Sequence, residues 1–257
     1  MVRSLIAGSL LLASPLYAIK EKAMMQHMQN FIRNILGGLV VSLAASTATA
    51  ERILIVPMDD GTEVVAFLGV VEQGSASRLD QALVDNPHIS IVAMVSPGGS
   101  AMEAFLIPEV LSNHNVTAMV PEGYACLSAC AIGFLGAKDY VVLGALGFHN
   151  MYIDPADMAD IQGLDLLIMG QSFGVRTTVF FLSNGFEAEL PLLISVFTTP
   201  EVFLVFTSTE DLMRFFARSE TDSVTEYLEG NDIDQEWIDG HLWDTQRFIE
   251  FFGGDAG

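Results

Sequence analysis

The stretch ISIVAMVSPGGSAMEA, Ile89–Ala104, decides how the chain folds. It opens as an almost continuous apolar run, the pattern of a strand covered on both faces. Pro97-Gly98-Gly99 closes the run. Paired glycines let the backbone adopt conformations closed to other residues and pass close to a ligand. Helical spacing follows from about Ala101 to Leu111, with a bend or interruption expected at Pro108. Buried strand, turn and helix in succession make one unit of a largely parallel sheet.

The same rhythm extends in both directions. RILIVPM (Arg52–Met58) reads as a buried strand, and EVVAFLGVV (Glu63–Val71) as a second one ending near Glu72. SASRLDQALVDNP (Ser75–Pro87) puts Leu79, Ala82 and Leu83 on one helical face and stops at Asn86-Pro87. Downstream, VTAMV (Val116–Val120) is a strand, a helix begins near Ser128, and YVVLG (Tyr140–Gly144) is a further strand with His149 just beyond it. Asp154-Pro155 has the form of an N-cap followed by proline at the first helical position. The helical region behind it is expected to be broken by Gly163, Gly170 and Gly174 and to halt at Asn184-Gly185. AELPLLISVF (Ala188–Phe197) is a short helix and EVFLVF (Glu201–Phe206) a strand, and Ser208–Asp211 resembles a capping box opening a last core helix. The predicted class is α/β with largely parallel sheets, followed by an acidic, helical C-terminal tail over 219–257.

That tail carries eleven acidic residues and one basic. Trp237, Leu242, Trp243, Phe248 and Phe252 are placed to form one apolar stripe, packing on its own domain or covering a partner. The other end of the chain is a targeting segment, residues 1–50. In NFIRNILGGLVVSLAASTATA (Asn30–Ala50) an arginine precedes the apolar run Ile35–Ala45, and Ala48-Thr49-Ala50 forms an A-x-A cleavage site. MVRSLIAGSLLLASPLYA (Met1–Ala18) looks like a second signal, so the true start is expected at Met24, Met25 or Met28. The expected destination is the periplasm or the exterior; an uncleaved apolar segment would instead tether the protein to a membrane.

With 257 residues, 51% of them hydrophobic, the chain has the core of one large domain. Of the 11 Lys and Arg, four precede Glu51, and of the 32 Asp and Glu, one does; the remainder, 7 against 31, is a net charge of −24. A field of that sign repels phosphate backbones and argues against nucleic-acid binding. The two cysteines, Cys126 and Cys130, flank Ser128 in GYACLSAC (Gly123–Cys130). An exported chain permits a disulfide, and a pair straddling a loop-to-helix junction can close, although i, i+4 spacing inside a regular helix cannot easily do so. Two buried small hydrophobes are the equal alternative. Two thiols with no histidine close in sequence make no zinc site.

Three features bear on chemistry. Gly99, at the end of a buried strand, can turn its N–H outward toward an oxyanion. Ser128 sits among small residues where a loop gives way to a helix, so a tight turn can expose its hydroxyl, and the Ala129 N–H can supply a second donor. His149, 21 residues further on, is a base of the usual kind for a serine nucleophile. Each also has an ordinary reading: a turn, a packed serine, a structural histidine.

Taken together, SPGGSAMEA (Ser96–Ala104), Ser128 in CLSACA (Cys126–Ala131) and GFHN (Gly147–Asn150) resemble the ClpP-like branch of the crotonase superfamily. That group includes ClpP peptidases, signal peptide peptidase A and ClpP-like proteins of the bacterial envelope, some with paired cysteines around the serine. The resemblance covers Arg52–Arg218, giving a domain at 51–218, and is sharpest from Ile89 to Asn150. It implies a spiral of ββα units assembled into trimers or larger rings. It further implies Ser128 as nucleophile, His149 as general base, and Gly99 and Ala129 as oxyanion-hole amides. The implied reaction is acyl transfer from a peptide bond to serine, then hydrolysis, with no cofactor or metal.

The family's third catalytic residue, a carboxylate, has a counterpart in position in Glu201, although no aspartate stands in the expected setting. A dyad steadied by a backbone carbonyl or by Thr199 is the alternative. Lys138, the lone lysine after Ala50, lies in a loop and does not match the lysine base of signal peptide peptidases. The leading expectation is an exported serine hydrolase acting on peptides or proteins. The second is a binding or scaffold protein whose pocket survives without turnover. Acyl-CoA chemistry, a third use of the same cradle, is disfavoured by export away from CoA.

Overall fold

The computed structural model describes residues 50–58, 61–150, 163–216 and 233–253. The predicted leader and the Asp154-Pro155 cap lie outside the described residues. Just past Pro57, Gly61 N–H donates to the Met58 carbonyl at 2.9 Å. The larger of the two compact units takes in residues 46–56 and 63–257.

Its first sheet has five strands, β1 (Arg52–Pro57), β2 (Glu63–Leu68), β3 (Ile91–Val95), β4 (Thr117–Val120) and β6 (Asp139–Val142), side by side in that order. The pairings from β2 through β6 are all parallel, in the register Val65↔Val92, Ile91↔Thr117 and Thr117↔Asp139. Parallel neighbours need crossovers, and helices supply them. These are α1 (Ser75–Asp85), the pair α2 (Ala101–Ala104) and α3 (Ile107–His114), and α4 (Ala129–Phe134). Leu79 and Leu83 of α1 and Ile107 and Leu111 of α3 are fully buried, joining Val65, Phe67, Val92 and Met94 in one core. β1 is an edge strand with Leu54 and Ile55 exposed, rather than the buried strand its composition suggests.

A second sheet has the order β5 (Ala125–Leu127), β7 (Ala145–Phe148), β8 (Phe203–Phe206) and β9 (Leu242–Trp243). β5 and β7 run parallel, while β7/β8 and β8/β9 are antiparallel. A bridge between Ser96 and Cys126 joins the end of β3 to β5, so the chain leaving the first sheet feeds the second. The architecture is therefore mixed α/β with parallel sheet segments and helices. α5 (Gly163–Ser183), α6 (Glu189–Phe197), α7 (Thr209–Met213), α8 (Gln235–His241) and α9 (Thr245–Gly253) complete it.

Several expectations change at the level of elements. The helix after the glycine pair is two helices: α2 stops at Ala104, and Pro108 sits in the first turn of α3, where its missing N–H costs nothing. The described helix α5 begins at Gly163, and Gly170 and Gly174 do not break it; a glycine costs a helix only about 1 kcal/mol, and 21 residues absorb that. The helix ends at Ser183, and Gly185 just beyond it takes φ 82°, as the sequence indicates. Leu164, Ile168, Val175, Val179 and Leu182 of α5 are exposed. Finally, the tail is not purely helical. It contributes β9 to the second sheet and belongs to the same compact unit as the residues before it.

Candidate active site

β5 delivers Ser128 to the corner where α4 begins. The corner is strained: Ser128 has φ 55° and ψ −120°, a combination that costs a side-chain-bearing residue about 1–3 kcal/mol. Its surroundings enforce it from several directions. Ser128 N–H donates to the Gly147 carbonyl at 2.8 Å, and its own carbonyl accepts from Ile132 N–H at 3.1 Å. Ser96 N–H donates to the Ala125 carbonyl and the Ser96 carbonyl accepts from Leu127 N–H, each at 2.9 Å. A disulfide joins Cys126 in β5 to Cys130 in α4, with Cα atoms 5.2 Å apart and both residues fully buried. The spacing of four closes because the pair spans a strand-to-helix corner. A sharp turn of this kind lifts a hydroxyl clear of its neighbours, as nucleophile elbows do.

The glycine pair lies directly against that corner. A Cβ on Gly98, which has φ 99°, would stand 2.6 Å from Ser128 Cβ and 3.1 Å from the Ala129 nitrogen. One on Gly99, with φ 142°, would stand 2.2 Å from the Val71 carbonyl oxygen. Val71 grips the pair on both sides: its N–H donates to the Gly98 carbonyl at 2.8 Å and its carbonyl accepts from Ser100 N–H at 2.7 Å. Gly99 N–H is left without an acceptor among the described residues. Ala129, the first residue of α4, has an N–H with no partner inside its own helix. The N–H of Ala129, next to the serine, and that of Gly99, next to the Gly98 that meets Ser128, thus have no acceptor among the described residues.

β7 brings the histidine. Its parallel pairing with β5 sets Leu127 opposite Gly147, so the residues just past the two strand ends meet. His149 Nε2 stands 2.7 Å from Ser128 Oγ. The imidazole lies on the Phe203 ring of β8, with centroids 4.4 Å apart and planes 33° apart. Phe203 in turn meets Phe248 of α9 edge-on at 5.5 Å, and Phe248 packs on Trp243 at 5.2 Å. Asn150 clamps the backbone behind the histidine. Its N–H donates to Thr198 Oγ1 at 2.8 Å, and its side-chain amide donates to the Ser195 and Thr198 carbonyls at 3.1 and 3.0 Å.

Burial lowers the His149 pKa below its usual 6.5, opposed by the Thr199 backbone carbonyl and by the Glu201 charge. Burial thus favours the neutral ring. If Nε2 accepts the serine proton, the ring's own hydrogen is on Nδ1. Nδ1 is buried and makes no well-formed hydrogen bond among the described residues, and the Thr199 carbonyl favours the charged ring. Glu201 is exposed and makes no hydrogen bond to the imidazole; its carboxylate accepts from Thr199 Oγ1 at 3.3 Å. The Thr199 hydroxyl serves its own turn, accepting from Glu201 and Val202 N–H. Lys138 is exposed in its loop, and no cluster of metal-ligating side chains occurs among the described residues.

Three contributors escape a reading of the sequence. β7 follows β6 after only Leu143-Gly144 and merges with it on paper. The signal was Gly144, where a Cβ would lie 2.2 Å from the Tyr124 carbonyl oxygen, the mark of a sharp corner. Asn150 and Phe203 leave no local mark, since their partners are side chains and carbonyls far along the chain.

No protein-family model and no curated protein sequence matches the chain. Among solved structures it is similar to a membrane-bound stomatin-specific protease, at 14% identity and a TM-score of 0.41, over 65% of this chain and 82% of that one. It is also similar to a chain from a dehydratase/decarboxylase enzyme couple involved in polyketide β-branching, at 9% identity and a TM-score of 0.28, over 40% of this chain and 54% of that one. Likenesses this distant do not bear on chemistry; the arrangement around Ser128 does.

Proposed function

We propose that the protein is an exported serine hydrolase, a peptidase of the ClpP-like branch with the crotonase-type ββα spiral. One observation carries the reading: Ser128 Oγ, on a strained corner, lies 2.7 Å from His149 Nε2. Ser128 Oγ attacks the carbonyl carbon of a peptide bond while its proton passes to His149 Nε2. The Gly99 and Ala129 amides receive the negative charge on the carbonyl oxygen. The imidazolium gives its proton to the departing amine, leaving an acyl-serine; water, deprotonated by the same ring, then releases the acid. The chain acts without cofactor or metal, in the periplasm or outside the cell, as a trimer or larger ring. The exposed apolar side of α5 supports self-assembly.

The competing reading is a binding or scaffold protein. It draws on His149 Nδ1, which has no partner among the described residues, and on Glu201, whose carboxylate accepts from Thr199 Oγ1 rather than from the ring. A fluorophosphonate probe separates the two. Covalent labelling of the exported full chain that is lost in Ser128→Ala, and falls on the order of 10³-fold in His149→Ala, is expected of the hydrolase. Folded protein that is not labelled at all belongs to the scaffold.

A further inference from the structure

Glu51 is the residue directly after Ala48-Thr49-Ala50, and it is anchored more firmly than a linker residue needs to be. Its side chain is only 3% exposed. One carboxylate oxygen pairs with Arg78 Nε at 2.7 Å, and the other accepts from Ser75 Oγ. Ser75 Oγ also accepts from Glu72 N–H at 2.8 Å. The Glu51 nitrogen itself faces a carboxylate, donating to Glu72 Oε1 at 3.1 Å. Both ends of this one residue are therefore received by the segment that opens α1.

That segment also supports the glycine pair. Val71, its first residue, bridges to Gly99. Glu103 of α2, itself buried, accepts from Gly74 and Ala76 N–H at 2.8 and 2.9 Å, tying the start of α1 to the helix that follows Gly99. A free α-amine at Glu51 would change the character of its contact with Glu72. A peptide N–H has one donor and no charge, whereas an α-ammonium has three donors and a full positive charge.

The geometry points to Ala50–Glu51 as a processing site whose product is a structural group: the α-ammonium of Glu51 pairs with Glu72 and latches the segment against which Gly99 rests. The cut is a hydrolysis by a host endopeptidase of the export machinery. Water breaks the C–N bond, Ala50 leaves as a carboxylate, and the amine of Glu51 takes up a proton. The link to Gly99 rests on the proposed hydrolase; the cut and the ion pair do not.

The test begins with the full chain exported from a bacterial host, whose intact mass is expected to place the N-terminus at Glu51. Any other N-terminus overturns the proposal. Thermal midpoints are then read for the mature protein, for Glu72→Gln, and for both after selective acetylation of the α-amine. Each single change is expected to lower the midpoint by about 2–4 °C, and acetylation is expected to add nothing in Glu72→Gln. Additive losses, or no loss in either, overturn the ion pair. Fluorophosphonate labelling of the same four samples is expected to slow about threefold wherever the pair is broken. Labelling at one rate in all four removes the link to Gly99, and absence of labelling throughout counts against the hydrolase while the midpoints still decide the latch.

Discussion

Ser128 and His149 touch, yet the chain holds them by different means. The serine sits on a corner whose backbone is bound on every side: β5 before it, α4 after it, a disulfide across it and Gly98 pressed against it. Almost all of that is main chain. The histidine follows a four-residue strand, and what fixes it is side-chain packing from distant parts of the chain. Asn150 reaches Thr198, Phe203 lies under the ring, and Phe248 from the tail backs Phe203. A backbone-built nucleophile tolerates strain because several bonds must fail together. A base built from side chains is adjustable, and each contact can be removed singly.

The sharpest break is expected on the serine side. Gly98→Ala places a methyl 2.6 Å from Ser128 Cβ at a φ of 99°, so we expect a loss of about 2–4 kcal/mol in a denaturant titration and no measurable labelling. Replacing both cysteines by alanine opens the corner without adding bulk. The protein should stay folded, lose roughly 2 kcal/mol and label more slowly, because the covalent restraint on the strained φ has gone.

The histidine side should give graded effects. Asn150→Ala removes two side-chain hydrogen bonds and is expected to cost about 1–3 kcal/mol, with labelling slowed roughly 10²-fold as the ring loses its registration with Ser128. Phe248→Ala is milder, about tenfold in labelling, and Phe248→Leu should restore much of it if packing behind Phe203 is what matters. An unchanged rate in Phe248→Ala would detach the tail from the site.

The smallest expected effect is on pH. Burial holds the His149 pKa below 6.5, so labelling should be flat at neutral pH and fall only as pH drops through that lowered value. Because the folded ring binds a proton less readily than the unfolded one, His149 also subtracts stability as pH falls below about 6.5. Glu201 acts to raise the pKa, so Glu201→Gln should move the acid limb of labelling to lower pH. A large loss of rate at neutral pH in that variant would instead make Glu201 a direct partner of the ring.

The serine half of the site could be read from the chain because its signals are local. A continuous apolar run must be a covered strand, two glycines must mark a position where a Cβ does not fit, and a serine among alanines before a helix can form a tight corner. Gly98, Gly99, Ser128 and the two cysteines all lie within 33 residues. The histidine could be suspected only from its type and order. β7 was hidden inside the run from Tyr140, because a two-residue corner separates it from β6. The glycines of α5 misled in the other direction: a Cβ on Gly163, Gly170 or Gly174 would meet nothing within 4 Å, so they mark no close approach.

By itself the sequence determined the strand–turn–helix rhythm, the parallel character of the first sheet and the place of the serine corner. These follow from the steric limits on each residue and from apolar periodicity, both of which act over a few positions. Only the tertiary structure decided which strands share the second sheet, that the tail supplies one of them, that Phe203 lies on the imidazole and that Asn150 ties the backbone behind it to Ser195 and Thr198. Those outcomes depend on which distant surfaces bury each other, and burial is a property of the assembled core rather than of any short segment.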